Sequence, residues 1–143
     1  MIEAVITRLK AEVPFLQQRV DGAAQFTELV ASGKLAPVTP AAHVIPVGLR
    51  GGNPDVASGL FRQLFTQTVA VALTLRGQDP NGRRALQGLD AHLMEIITAL
   101  AGWAPDDEVG VFRFVSGRVA LISRGDFVYE LTFSIEDQLR IPT

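Results

Sequence analysis

The strongest constraint on the fold is an alternation of side chains between Phe61 and Leu75. Large apolar residues occupy the odd positions Phe65, Val69, Val71, Leu73 and Leu75. The even positions are small or hydroxylated, namely Thr66, Thr68, Ala70, Ala72 and Thr74. A period of two is typical of a strand that buries one face, because successive side chains of a strand point to opposite sides. The chain should therefore fold around a sheet, with this long strand near its centre.

Three amphipathic helices are expected beside that sheet. The first has apolar residues at helical spacing from Ile2 to Val13, and Pro14 ends it. Asp21 is the candidate N-cap of the second helix, which should stop at Gly33. The third begins at Asp79-Pro80, stops before Gly102 and has one apolar stripe, formed by Leu86, Leu89, Leu93, Ile96, Ile97 and Leu100.

Shorter strands and a loop are predicted between these elements. Phe15 to Val20 is a short strand candidate. Any strand over Ala42 to Val47 should be interrupted or lie at an edge, because its proline cannot donate a hydrogen bond to a ladder. The run of glycine, proline and polar residues that follows predicts an exposed, mobile loop from Gly48 to Gly59.

The C-terminal region predicts a three-stranded antiparallel meander. Its strands run from Val109 to Val115, from Arg118 to Ser123 and from Phe127 to Ile135, with turns at Ser116-Gly117 and Gly125-Asp126. The last strand should turn one face to the core, formed by Phe127, Tyr129, Leu131, Phe133 and Ile135.

These elements predict an α/β fold of the α+β kind, with one mixed, largely antiparallel β-sheet and about three helices packed on it. The chain has 143 residues, of which 48% are apolar and 20% charged. A chain of that size and composition buries about two-thirds of its unfolded surface around one core. We therefore expect a single domain over residues 1–143.

The composition argues against several classes of function. The formal net charge is -2, which gives no overall attraction to nucleic acid or to an anionic membrane surface. The absence of cysteine excludes disulfides, thiolate zinc sites and thiol nucleophiles. The most apolar stretch, Val69 to Leu75, is too short to cross a bilayer, and the N-terminus lacks the pattern of a signal peptide. We expect a soluble protein, made in the cytoplasm, without specific binding of nucleic acid.

No motif predicts catalysis, a cofactor or a metal site. His43 and His92 are the two possible histidine bases, and no Gly-x-Ser-x-Gly element accompanies them. The segment Ala31-Ser32-Gly33-Lys34 departs from a phosphate-binding loop, because Glu28 replaces the first glycine of that pattern. Asp106-Asp107-Glu108 reads as a solvated acidic turn. An enzyme, or a small ligand-binding or regulatory domain, would need a pocket with converging polar groups.

Four short segments of the C-terminal half resemble, in their order, the tail-terminator proteins of tailed bacteriophages and related prophages. They are Gly102-Trp103-Ala104-Pro105, Gly110-Val111-Phe112-Arg113-Phe114, Phe127-Val128-Tyr129-Glu130-Leu131 and Asp137-Gln138-Leu139-Arg140. The opening helix from Met1 to Leu9 and the chain length fit the same family, so the resemblance spans most of the chain.

The resemblance implies a structural virion protein, not an enzyme, that assembles with itself as a ring, expected to be a hexamer. Such a ring caps the head-proximal end of the tail tube, stops tube growth and presents a surface to the head connector or stopper, with DNA passing through its lumen. No cofactor and no catalytic residue are implied. Another neck protein, such as a head-tail connector or stopper, is the alternative, because neck components share size and ring symmetry.

Residues for subunit contacts are expected in two segments and at one aromatic side chain. A ring larger than a dimer needs two different complementary patches, and we assign them to the loop after Gly48 and to the meander. Dispersed surface arginines are the simpler interpretation of the meander's basic residues. Trp103 should cap the core, with a subunit contact as its second interpretation. The candidate interface residues are Arg50, Gly51, Gly52, Asn53, Asp55, Arg113, Arg118 and Trp103.

Overall fold

A computed structural model describes residues 1–33, 36–76, 88–106, 110–123 and 126–143. The described residues form three α-helices, α1 (Ile2–Glu12), α2 (Ala23–Ala31) and α3 (Leu89–Leu100), and a short 3-10 helix over Pro14–Leu16. They also form five strands, β1 (Val20–Gly22), β2 (Ala41–Ala57), β3 (Leu60–Arg76), β4 (Arg113–Ser123) and β5 (Asp126–Pro142). The predicted α+β composition is confirmed.

The five strands form one mixed sheet in the order β1-β2-β3-β5-β4. β1 is parallel to β2, and the other neighbouring pairs are antiparallel. β3 pairs with β5 along its whole length, from Leu60 opposite Pro142 to Arg76 opposite Asp126. The predictions of a long central strand and of a largely antiparallel mixed sheet are therefore confirmed.

One face of the sheet, which we call the core face, carries the hydrophobic core. Val71 and Leu73 of β3 lie on it, directly opposite Val44 and Ala42 of β2. Helices α1 and α3 cover this face with the buried residues Val5, Ile6, Leu9, Ile96, Ala99 and Leu100. The predicted apolar face of the last strand joins the same cluster, with Phe127, Leu131, Phe133 and Ile135 buried and Tyr129 packed beside them.

The opposite side of the sheet, which we call the second face, carries smaller and more polar side chains. Ala70, Ala72 and Thr74 of β3 lie on it and are buried. Helix α2 packs against the β1 and β2 end of the sheet, where Phe26 contacts His43. The second layer therefore lies over β1 and β2.

The helix ends follow the predicted stop signals. The N–H of Val13 donates to the Leu9 carbonyl at the end of α1, and Pro14 opens the 3-10 helix. Gly33 and Gly102 follow α2 and α3 with φ of 73° and 82°, a left-handed conformation that suits glycine. The start of the third predicted helix, including Asp79-Pro80 and Leu86, lies outside the described residues.

Two predictions around the second helix are wrong. No strand covers Phe15 to Val20, because Pro14–Leu16 is a 3-10 helix and the next two residues, Gln17 and Gln18, have φ of 49° and 68°. These left-handed residues end the helical turn and delay the extended conformation until Val20. The N-cap of α2 is Gly22, so Asp21, the predicted cap, belongs to β1 instead.

The predicted three-stranded meander contains two strands. β4 runs unbroken from Arg113 to Ser123, so the predicted turn at Ser116-Gly117 is wrong. A Cβ atom on Gly117 would lie 2.9 Å from the Tyr129 ring, so this glycine makes room for a side chain of the neighbouring strand. Gly125 of the other predicted turn lies outside the described residues, and Asp126 already belongs to β5, which extends to Pro142.

The predicted loop from Gly48 to Gly59 is a strand over most of its length, because β2 continues to Ala57. Its ladder with β3 shifts between Gly51 and Pro54, and a Cβ atom on Gly52 would lie 3.1 Å from the Leu64 carbonyl oxygen. Glycine permits this close approach at a bulge. A further shift after Pro46 confirms the predicted interruption, and the segment is exposed as predicted.

Candidate functional site

Three strands continue past the helical layer as an arm. We define the arm as residues 48–57 of β2, 60–67 of β3 and 135–142 of β5. All residues from Pro46 to Gly59 are exposed. Segments of eight to ten residues give the arm a length of about 27–33 Å. The arm is therefore a large part of the surface that the chain offers to partners.

The strand register gives the arm one largely apolar face, which also carries Gln63, Gln67 and Asp137, and one polar face. Val56, Phe61 and Ile141 lie directly across from one another on the three strands. Together with Phe65 and Leu139 they continue the core face outward, because β3 and β5 keep one register throughout. The other side of the arm continues the second face and carries Arg50, Asp55, Arg62, Thr66, Glu136 and Arg140.

The apolar face of the arm is uncovered at its outer end. The exposed fraction is 71% for Val56 and 48% for Ile141. Removing apolar surface from water stabilises a contact by about 25 cal/mol per Å². Contiguous apolar patches with a polar rim mark interaction sites on soluble proteins. This face can therefore act as a binding surface for another protein.

Hydrogen bonds between side chains and strands hold the arm in shape. The Arg62 Nη2 donates to Asp55 Oδ2 at 2.9 Å, and the Arg140 Nε donates to Gln138 Oε1 at 2.7 Å. The Gln63 Nε2 donates to the Gly52 carbonyl at 2.7 Å, next to the bulge. A preformed surface loses less conformational entropy on binding than a loop would.

The predicted interface residues fall on two separate surfaces. The first group lies on the arm and consists of Arg50, Gly51, Gly52, Asn53 and Asp55. Arg113 and Arg118 lie on β4, which is the edge strand at the end of the strand order away from β1 and β2. The Arg118 Nε lies 3.8 Å from Glu130 Oε1 on β5, which is a local pairing between neighbouring strands. One subunit therefore presents the two groups in different places, and their contacts with other subunits stay a prediction.

Trp103 lies at the edge of the core. Its ring centroid is 6.0 Å from that of Phe112, and the Arg8 guanidinium lies 5.2 Å over the indole. The Arg8 Nε also donates to the Ala99 carbonyl at 2.9 Å, which joins α1 to the end of α3. The predicted role of Trp103 as a cap on the core is confirmed. Its contact with another subunit stays a prediction.

Sequence reasoning misses a groove between α3 and the sheet, which we call the α3 groove. Its volume is about 450 Å³, and its lining residues are Asp90, Leu93, Met94, Ile97, Phe114, Gly117, Tyr129 and Leu131. The four helical residues follow the spacing of one helix face, so half of the groove is visible in the sequence. The other half is hidden by the turn predicted at Ser116-Gly117, which the structure replaces with a strand.

A second cavity, of about 630 Å³, lies between α2 and β2 and includes His43 in its lining. The His43 Nε2 lies 2.7 Å from Gln25 Oε1, so the Nε2–H donates to that amide. The Nδ1 has no hydrogen-bond partner in the described part of the chain. Burial lowers the pKa of His43, and the Asp21 carboxylate partly offsets this shift. The side chain is therefore a neutral, buried histidine of the second face.

We expect His43 to make the fold less stable in acid. Because its pKa is lowered in the folded chain, the unfolded chain binds the proton more tightly, and the contribution is complete above about pH 6.5 and is lost as the pH falls toward the folded pKa. The substitution His43→Gln should remove this part of the pH dependence, seen as a few degrees in thermal midpoints between about pH 7.5 and pH 5.

The matched variant Asp21→Asn should enlarge this pH dependence of stability, whereas His43→Gln removes it. Without this carboxylate the pKa of His43 falls further, so the acid loss should extend to lower pH. Arg19 and Glu28 line the same cavity and stay in place in both variants. An unchanged pH profile after His43→Gln would contradict the assignment.

Two kinds of site are absent from the described residues. Within the described ranges, no three His, Asp or Glu side chains gather as a possible metal site. None of the described helices is long and apolar enough to cross a membrane. The predicted acidic turn at 106–108 lies partly outside the described residues. The arm and the α3 groove are the surfaces whose geometry suggests a role.

Comparison with known proteins gives a family match and a fold match. The family model described as phage tail terminator protein matches residues 1–143. A chain of a solved structure described as the virion of a native gene transfer agent particle is 12% identical, with a TM-score of 0.61, covering 97% of this chain and 95% of that one. At this identity the likeness concerns the fold. A second solved structure is 15% identical over 99% of this chain and 92% of that chain, and its TM-score of 0.38 carries no argument. No curated protein sequence matches significantly.

Proposed function

Because the chain belongs to the phage tail terminator family, we propose that it forms a ring that caps the head-proximal end of the tail tube. Membership of this family makes the chain a structural protein of a virion tail. In the proposed role the ring contains six copies, stops the growth of the tube and offers a surface to the head connector. The observation that carries the proposal is the amphipathic arm, a preformed surface with an uncovered apolar face.

Ring formation needs two different surfaces that complement each other. The arm is one such surface. The β4 edge is another, because this edge strand leaves several large apolar side chains exposed, namely Phe114, Val115, Val119, Leu121 and Ile122. A strand at the edge of a sheet also has unpaired backbone N–H and C=O groups that can accept a further strand. The two surfaces therefore support a head-to-tail arrangement.

Termination of a tube requires an asymmetric cap. Tube subunits add by repeating one interface, so growth continues until another protein covers the end with a face that cannot accept the next ring. The two faces of this sheet differ, since helices α1 and α3 cover one and small or polar side chains dominate the other. A ring of such subunits would present different surfaces on its two sides. This difference suits a protein that binds the tube on one side and stops growth on the other.

The test is to delete the gene from the phage or prophage and examine the lysate by electron microscopy. We expect filled heads and tail tubes, with tubes of abnormal length that do not join heads. Supply of the intact chain from a plasmid should restore tails of uniform length and is the control. Unattached tubes of normal length would indicate a connector instead, and the absence of tubes would indicate a tube or initiator component.

A further inference from the structure

We propose that α2 is a flap that opens from the sheet while the rest of the fold stays in place, and that His43 makes this opening favourable in acid. The inference concerns one subunit and is independent of the proposed ring. All nine residues of α2 are described, and none of them is buried. The described hydrophobic core contains side chains of α1 and α3 but none of α2. Opening of α2 therefore leaves the core covered.

The contact between α2 and the sheet is loosely packed. A cavity of about 630 Å³ lies between α2 and β2, whereas well-packed interiors hold few voids larger than a water molecule. Leu29 lines this cavity, and Phe26 is only partly buried beside His43. Val30 is 54% exposed. An element with so little buried apolar surface opens at a lower free energy than the core.

The chain on both sides of α2 is held to the sheet by other contacts. Before α2, the buried Val20 of β1 lies opposite Ala42 of β2. After α2, the Arg76 Nη2 donates to the Ala36 carbonyl at 3.0 Å, and the Arg76 Nη1 donates to the Pro37 carbonyl at 3.3 Å. These anchors do not depend on α2, so they confine the opening to the helix.

His43 connects the sheet to two neighbouring residues of α2. Its Nε2 lies 2.7 Å from Gln25 Oε1, and its ring centroid is 5.1 Å from that of Phe26. The His43 side chain is buried, and its Nδ1 has no hydrogen-bond partner among the described residues. A second proton on this ring is therefore buried without a partner while α2 is closed, which is costly. Opening of α2 exposes the ring to water, which can hydrate the proton.

The charged groups around His43 come from three elements and from the segment before β1. They are Asp21 of β1, Glu28 of α2, Glu130 of β5 and Arg19. Glu28 and Arg19 line the same cavity with opposite charges. The residue directly opposite His43 on β3 is the uncharged Ala72, which separates His43 from Glu130. Asp21 is the charged group that shifts the pKa of His43.

Acid favours the open form of the flap. Burial lowers the pKa of His43 from 6.5, and the Asp21 carboxylate raises it by a smaller amount. When α2 opens, the ring meets water and its pKa returns toward 6.5. The open form then binds the proton more tightly, so the closed form loses stability as the pH falls below about 6.5.

Native-state hydrogen exchange measured by mass spectrometry tests the flap. An isolated helix shorter than about 12 residues is marginal in water, so the amides of α2 should exchange when it opens. At about pH 7.5 in low urea, we expect α2 to open about 100-fold more often than the part of β3 around Val71, with a weaker dependence on urea. Equal opening and equal urea dependence of the two segments would overturn the flap.

The pH dependence of the exchange tests the role of His43. Between about pH 7.5 and pH 5, the opening of α2 should rise about tenfold after division by the intrinsic exchange rate at each pH. The variant His43→Gln keeps a polar side chain that does not titrate, so this rise should be absent. A rise of the same size in His43→Gln would show that another group causes it and would overturn this part of the proposal.

The matched control is Phe26→Ala, which removes the ring contact and keeps the histidine. It should make the opening of α2 more frequent at both pH values, and the rise in acid should remain. If Phe26→Ala leaves the exchange of α2 unchanged, the contact with His43 does not hold the flap closed and the proposal fails.

Discussion

Replacement of Phe133 by alanine is expected to lower the free energy of unfolding by about 3–5 kcal/mol. Phe133 is completely buried at the centre of β5, directly between Val69 of β3 and Phe114 of β4. Truncation removes the contacts of the ring and leaves a cavity that three paired strands cannot collapse to fill. A loss of this size is a large part of the 5–15 kcal/mol by which a typical domain is stable.

The measurement is urea denaturation followed by circular dichroism, and Phe114→Ala is the matched control. The Phe114 and Phe133 rings touch edge to face, with centroids 5.8 Å apart, but Phe114 is 40% exposed. Its truncation should cost less than about 1.5 kcal/mol, since water already reaches the site. Equal losses in the two variants would mean that the core does not centre on Phe133.

The double substitution Val56→Glu with Ile141→Glu should abolish ring assembly while the subunit stays folded. Both residues are exposed on the free subunit, so the new carboxylates stay hydrated there. Burial of even one unpaired carboxylate in a contact costs about 3 kcal/mol, which weakens association about 100-fold. Sedimentation velocity should show monomers, and the thermal midpoint should remain close to that of the native chain.

The control for this prediction is the pair Leu64→Glu and Gln138→Glu. These residues lie directly opposite each other on the polar face of the arm, and the pair adds the same two negative charges. Assembly should survive in this variant. If both double variants dissociate, the effect is general charge repulsion. If both assemble, the apolar face of the arm lies outside the interface.

The parts of the fold that follow from regular periodicity could be predicted from the sequence. The alternation around Val71 predicts β3 and its core face, and the helical spacing after Ile2 predicts α1. In these elements local preference and burial agree, because each has a single apolar face against the same core. The alternation from Phe127 likewise predicts the core face of β5, although not its continuation to Pro142.

The arm and the α3 groove could not be predicted, because both depend on glycines with a tertiary role. Gly52 allows β2 to approach the Leu64 carbonyl at a bulge, and Gly117 allows the Tyr129 ring to lie against β4. In a sequence these glycines are indistinguishable from turn residues. Only the neighbouring strand reveals the difference. The candidate interface residues near Gly51 are exposed, as the sequence predicts, but they lie on a strand and not on the predicted loop.

The uninterrupted pairing of β3 with β5 has a mechanical consequence. The same two strands run through the arm and through the part of the sheet that the helices cover, so no hinge separates these two parts. A pull along the arm loads this ladder in shear, parallel to the strands and across its hydrogen bonds. Seventeen opposed residue pairs from Leu60 to Arg76 then share the load and must yield together, whereas a peeling force would open them one at a time. Tension applied at the tip of the arm is therefore carried directly into the hydrophobic core.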